Sequence, residues 1–135
     1  MRLLLDTHAF LWFIKGSDKL SSYARRTIED ESNDRYLSAG SLWEIAIKVS
    51  IGKLEVPLPI TRLVTEHVEA NGIDVLGIKP GHLDEQRNLP FHHNDPFDRM
   101  IIAQAIVEEM KVIGKDEAFE LYPIDGIWRK ANEAA

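Results

Sequence analysis

The chain has 135 residues, 44% hydrophobic and 28% charged, the balance of a soluble globular protein with one domain (residues 1–135) large enough to bury a core. It contains no cysteine, which excludes disulfides, thiolate zinc sites and cysteine nucleophiles and fits a cytoplasmic location. The formal net charge of −6 argues against non-specific duplex binding through overall charge, while it suits a partner carrying a basic segment or a nucleic acid brought in by metal ions. No apolar run approaches the roughly 18 residues of a membrane span, and Asp6 and His8 interrupt the apolar stretch that a signal peptide needs.

Arg2 to Leu5 reads as a short buried strand, followed by a short helix from Thr7 to Ile14 that ends before Gly16. Ser21 or Ser22 can cap a helix reaching about Glu31, and Arg35 to Ser38 is a second short strand. A helix follows from about Gly40 to Val49, stopping near Gly52, and Lys53 to Pro59 forms a proline-bounded connection. Thr61 to Ala70 is expected to be helical with Asn71-Gly72 as its stop, and Ile73 to Ile78 to be a strand. Pro80 to Arg87 predicts a short helix and Leu89 to Asn94 a loop. Pro96 then suits the first position of a long helix to Met110. Lys111 to Gly114 is the next strand, Glu117 to Glu120 a turn of helix, and Tyr122 to Ile124 a last strand. Apolar strands alternating with helices predict an α/β fold, a three-layer α/β/α sandwich around a mainly parallel sheet covered on both faces.

Four carboxylates lie at the edges of these core elements, where charge is costly unless it is paired or binds a metal. Asp6 closes the run Leu3-Leu4-Leu5 and Asp116 follows Val112-Ile113, so both stand just beyond strand ends. Each also suits a helix N-cap. Glu44 is the one charge within Leu42-Trp43-Glu44-Ile45-Ala46-Ile47, a segment apolar nearly all round and so expected to be buried. It can pair with Lys48 at i,i+4 or face a cation in a cleft. Asp98 heads the core stripe formed by Ile101, Ile102 and Ala105, which points it at the sheet edge, whereas Asp95 falls at the N-cap before Pro96. Acids at the ends of buried parallel strands converge on one crevice, and a crevice of carboxylates points to Mg²⁺ or Mn²⁺.

Leu4-Leu5-Asp6-Thr7-His8, Ser41-Leu42-Trp43-Glu44-Ile45-Ala46-Ile47-Lys48 and His92-His93-Asn94-Asp95-Pro96-Phe97-Asp98-Arg99-Met100-Ile101-Ile102-Ala103-Gln104-Ala105 resemble PIN-domain proteins. The most similar group is the VapC-type toxins of type II toxin–antitoxin modules. The tail Lys115-Asp116-Glu117-Ala118-Phe119, then Tyr122, resembles the family's last motif, so the likeness runs in order along essentially the whole chain. It implies a Mg²⁺- or Mn²⁺-dependent ribonuclease whose acidic quartet is carried by Asp6, Glu44, Asp98 and Asp116, as metal ligands and catalytic groups. It also implies an RNA substrate, a cognate antitoxin laid in a groove near the acids, and a homodimer or toxin–antitoxin hetero-oligomer, with no membrane partner. One departure is visible: the family often has Thr or Ser two residues before the final Asp, and here that position is Gly114.

Phosphodiester hydrolysis needs an activated water, in-line geometry and neutralised phosphoryl oxygens, all of which divalent ions on hard oxygen ligands supply. Arg99 and Lys48 are candidates to hold a phosphate at the rim, or to pair with neighbouring acids. His92 and His93 read as a solvated loop pair that could touch RNA, and His8 as a residue of the cleft or of a helix surface. A haloacid-dehalogenase-type phosphatase would carry a second Asp where His8 stands. A receiver domain would carry paired acids near the first strand, which this chain lacks. The alternative that survives is a catalytically silent PIN fold that binds RNA or protein.

Overall fold

The computed structural model describes residues 1–128. Its centre is a five-stranded, wholly parallel sheet of β1 (Arg2–Leu5), β2 (Asp34–Ser38), β3 (Ile73–Leu76), β4 (Lys111–Ile113) and β5 (Gly126–Ile127), in the order β3-β2-β1-β4-β5. Leu3, Leu4 and Leu5 are all fully buried, because the central strand of a parallel sheet is covered on both faces. Leu3 and Leu5 join the core made with α1 (Thr7–Lys15), α2 (Ser22–Glu29), α3 (Ala39–Ser50) and α4 (Ile60–Leu63). Leu4 joins the other core, in which α6 (Pro96–Glu108) is the main element, with α5 (Pro80–Asn88) packed against it. The expected three-layer sandwich is the observed one.

Local chemistry sets the helix limits. Asp6 caps α1, Ser21 caps α2, Ser38 caps α3 and Asp95 caps α6, each with its side-chain oxygen accepting a backbone N–H of the first turn. Gly16 ends α1 in the left-handed region (φ 64°). Pro96 opens α6, from which seven consecutive residues, Arg99 to Ala105, are buried, making it the central helix of its layer.

Two expected elements differ. The helix expected over Thr61–Ala70 is one α turn, α4, continued by a wider π turn (Val64–Val68) and a 3₁₀ turn (Glu69–Asn71) before Gly72 (φ 69°). The strand expected over Tyr122–Ile124 is absent, and the fifth strand is Gly126–Ile127. Pro123 has no N–H to give a ladder, and the buried Tyr122 is tied by its hydroxyl to Pro90 and His93, on a loop outside the sheet.

The chain leaves β1 to build β2 and β3 on one side and returns to place β4 and β5 on the other. The crevice beyond the carboxyl ends of β1 and β4 is therefore the topological switch point, the usual ligand site of open parallel sheets. Asp6 N–H donates to the Ile113 carbonyl (2.9 Å), so the ladder runs one residue past β1 and sets Asp6 beside Gly114. A Cβ on Gly114 would lie 2.5 Å from Asp6 Oδ2 and 2.8 Å from Phe119 Cε2. Neither neighbour has slack, since Asp6 is held by its cap and Phe119 is buried. Gly114→Ala is expected to destabilise the protein by about 1–3 kcal/mol, read as a lower urea midpoint at unchanged slope. An unchanged midpoint would mean that the Asp6 carboxylate has other room.

Candidate metal centre

Asp6, Asp98 and Asp116 line one cleft of about 380 Å³ at the switch point, together with His8, Trp12, Lys115 and Glu117. Asp6 is only 6% exposed, and its Oδ1 accepts the Ala9 N–H at 2.7 Å. The capping reading of Asp6 is therefore correct, and Oδ2 is left over for the cleft. Asp116 likewise caps the 3₁₀ turn Glu117–Leu121 through Oδ1, on the Ala118 N–H (2.9 Å), and turns Oδ2 inward. Asp98, at the third position of α6, is half-buried one residue before the buried run Arg99 to Ala105. Asp95 is the N-cap, accepting from Phe97 and Asp98 N–H at 2.8 and 3.1 Å.

Glu44 is 3% exposed on α3. Its Oε1 accepts the Thr7 hydroxyl (2.6 Å) and its Oε2 pairs with the Lys48 ammonium, so the i,i+4 partner is real but the pair is not a surface one. Ser41 shares the Thr7 hydroxyl at 2.9 Å. Glu44 does not line the cleft, yet its charge acts on both Asp6 and Asp98.

Like charge and burial leave their mark on these acids. The Asp6 carboxyl is raised to about 7, chiefly by burial, with the Ala9 N–H opposing the rise and the charges of Asp98, Asp116 and Glu44 adding to it. Burial also pushes Asp98 up to about 6, with Asp95 adding to the rise and His93 opposing it. The bond to Glu44 holds the Lys48 ammonium above the usual lysine range. The cleft thus gathers carboxylate oxygens, and burial resists the ionisation of two of its acids, Asp6 and Asp98. That donor set is the hard-oxygen one that fits Mg²⁺ or Mn²⁺.

The tightest group of ligand-type atoms among the described residues is His93, Asp98 and Asp116, all within 4.8 Å of one another. His93 Nε2 lies 2.7 Å from Asp116 Oδ2 and 3.1 Å from Asp98 Oδ2, so His93 belongs to the centre rather than to a solvated loop pair. The available signal was its place two residues before the Asp95 cap, where a side chain can accept the N–H of residue i+2 as an Asx turn does. Arg99 is buried rather than at the rim and, among the described residues, pairs with no acid. Its buried guanidinium donates to the carbonyls of Gln86, Leu89, Pro90 and His93 (3.0–3.3 Å) under the Phe91 ring, which satisfies the charge with loop backbone. Trp43, expected in a nearly all-buried helix, is 62% exposed and edge-on to Phe97.

The sequence profile of the PIN domain matches residues 3–124. Ribonuclease VapC22 of Mycobacterium tuberculosis is 28% identical over 118 residues, 84% of this chain and 86% of its own length. Ribonuclease VapC16 of the same organism is 35% identical over 63 residues, 47% of this chain and 45% of its own length, so the chain spans less than half of that relative. Among solved structures, VapBC2 from Rickettsia felis bound to a DNA fragment from their promoter has a TM-score of 0.69 at 16% identity, covering 94% of this chain and 98% of that one. A toxin–antitoxin complex from Klebsiella pneumoniae has a TM-score of 0.58 at 13% identity, covering 90% and 92%. Since the profile spans nearly the whole described chain and the architecture agrees, the protein belongs to the PIN-domain family.

Proposed function

We propose that this protein is a single-domain, Mg²⁺- or Mn²⁺-dependent ribonuclease and the toxin of a type II toxin–antitoxin module. The observation that carries the reading is the meeting of Asp6, Asp98 and Asp116 in one cleft at the switch point, with Glu44 acting on it from α3. Membership of the PIN family and likeness to two VapC ribonucleases support the chemistry. Likeness to structures of toxin–antitoxin complexes supports an antitoxin partner. No helix among the described residues is long and apolar enough to cross a membrane.

In this reading Asp6, Asp98 and Asp116 hold the metal, with Glu44 completing the acidic set. When bound, a divalent cation lowers the pKa of water and neutralises charge on the phosphoryl oxygens. The chain's own residues supply position. The Thr7 hydroxyl and Lys48 fix Glu44, while the caps on Ala9 and Ala118 each hold one oxygen of Asp6 and Asp116 and aim the other at the cleft. A cleft carboxylate would take a proton from the attacking water. In a protein of net charge −6, a bound cation would also favour the approach of an RNA phosphate.

Cleavage of a mixed RNA pool by purified, antitoxin-free protein is expected in Mg²⁺ or Mn²⁺ and to be abolished by EDTA. Asp98→Asn should lose at least about 100-fold in rate, while Asp95→Asn, which keeps an equivalent cap, should stay near wild type. Equal rates for wild type and Asp98→Asn would refute the site. No cleavage by folded wild type would favour the silent RNA- or protein-binding module.

The metal-free centre also predicts a pH dependence of stability. Between the ordinary Asp value of 3.8 and about 7, folded Asp6 keeps a proton that the unfolded chain has lost. The folded state then binds more protons, so stability falls as pH rises through that window and the loss is complete above it. Asp6→Asn keeps an oxygen for Ala9 and removes the charge. In EDTA its Tm advantage over wild type should grow from near zero at pH 4 to roughly 8–16 °C at pH 8, and excess Mg²⁺ should close the gap by stabilising only the wild type. Scanning calorimetry measures both, and a gap independent of pH would show that Asp6 ionises freely.

A further inference from the structure

We propose that His93 is a positioning residue of the acidic centre, a donor of fixed tautomer whose Nε2–H bonds Asp116 beside Asp98 and which stays a donor, not a ligand, when a divalent cation binds. The inference rests on the reading of the cleft as a metal centre. His93, Asp98 and Asp116 have the spacing of a three-ligand site, and by distance alone the imidazole would be counted as a ligand. The other ring nitrogen decides otherwise. His93 Nδ1 accepts the backbone N–H of Asp95 at 3.1 Å, so Nδ1 presents its lone pair and the ring proton is on Nε2. A histidine that ligates through Nε2 carries its proton on Nδ1 and donates it outward. Here that position faces a donor, which Asp95 cannot withdraw without opening the start of α6.

The rest of the loop holds the ring in this role. The His93 N–H donates to the Tyr122 hydroxyl (2.9 Å), which donates in turn to the Pro90 carbonyl (2.7 Å). The His93 carbonyl accepts from Arg99, and the ring lies nearly parallel to Phe119 with centroids 6.5 Å apart. The side chain is 15% exposed. From this fixed place Nε2–H bonds Asp116 Oδ2 at 2.7 Å and lies 3.1 Å from Asp98 Oδ2, which sets a positive hydrogen between two carboxylates that repel each other. Arg99, Tyr122 and Asp95 then have one common consequence, which is to preorganise two acids on different elements before any cation arrives.

Two measurements test this. Long-range ¹H–¹⁵N NMR of histidine-labelled protein reads the tautomer directly, with His93 assigned by the signal lost in His93→Gln. The Nε2–H form is expected in EDTA and in saturating Mg²⁺. An Nδ1–H form in either condition would overturn the proposal, and this result needs only folded wild type. Mg²⁺ titration calorimetry is the second. His93→Ala should weaken binding by about 10–100-fold, and His93→Gln, whose amide N–H₂ donates from nearly the same place, should return to within about threefold of wild type. An alanine variant that binds as tightly as wild type would refute a positioning role. Wild type that binds Mg²⁺ with this ranking but leaves RNA intact would refute the nuclease and leave the role of His93 standing. Wild type that binds no Mg²⁺ would remove the metal centre and this inference together.

Discussion

Crowding of carboxylates at the carboxyl ends of two adjacent parallel strands is the constraint around which this protein is organised. β1 and β4 are neighbours in the sheet, so residues just beyond them face each other across the switch point. Asp6 is buried there with other acids acting on it, and burial is the largest cause of a carboxyl held far above the ordinary range. A fold that keeps such a group must lower its cost by hydrogen bonds, by nearby positive charge or by a bound cation. The first two are present in part, and the third is what the donor set invites.

Several features that look separate answer this constraint. Gly114 has no side chain where one would strike Asp6, so the position where the family often has a hydroxyl is here given over to the carboxylate itself. Lys48 and Thr7 occupy both oxygens of Glu44, as Ala118 and His93 do those of Asp116. Asp6 and Asp116 each spend one oxygen on a helical turn, which fixes the carboxylate plane without neutralising it. Capping and ligand presentation are therefore one arrangement: the bond that starts a helix also aims the free oxygen.

The loop before α6 extends the same logic. Arg99 is a buried charge with no acid beside it, satisfied by four carbonyls of residues 86–93. It ties that loop together through its carbonyls, and Tyr122 fastens it from the far end of the chain. The relation between stability and activity follows: the charges that would bind the metal are those whose removal should stabilise the metal-free protein.

Much of this was legible in the amino-acid order. Leu3-Leu4-Leu5 and Val112-Ile113 announce buried parallel strands, Pro96 and Asp95 mark the start of α6, and Asp6, Asp98 and Asp116 stand where strand ends and a core stripe place them. These are local signals, since a cap, a proline or a hydrophobic period acts over a few residues. What the order did not show depends on distant partners. Arg99 was a candidate for the rim because its acceptors are carbonyls, which every residue possesses and no sequence motif marks. Tyr122 was assigned to a strand because its tether to residues 90 and 93 crosses some thirty positions. Trp43 lies in a run apolar nearly all round, and only the packing of α3 shows which side is left open. By itself the sequence determined the layers, the caps and the identity of the acids. The tertiary structure alone decided which of their oxygens are free, and that a histidine stands between two of them, because those facts are fixed by contacts between elements and not by the period of any one.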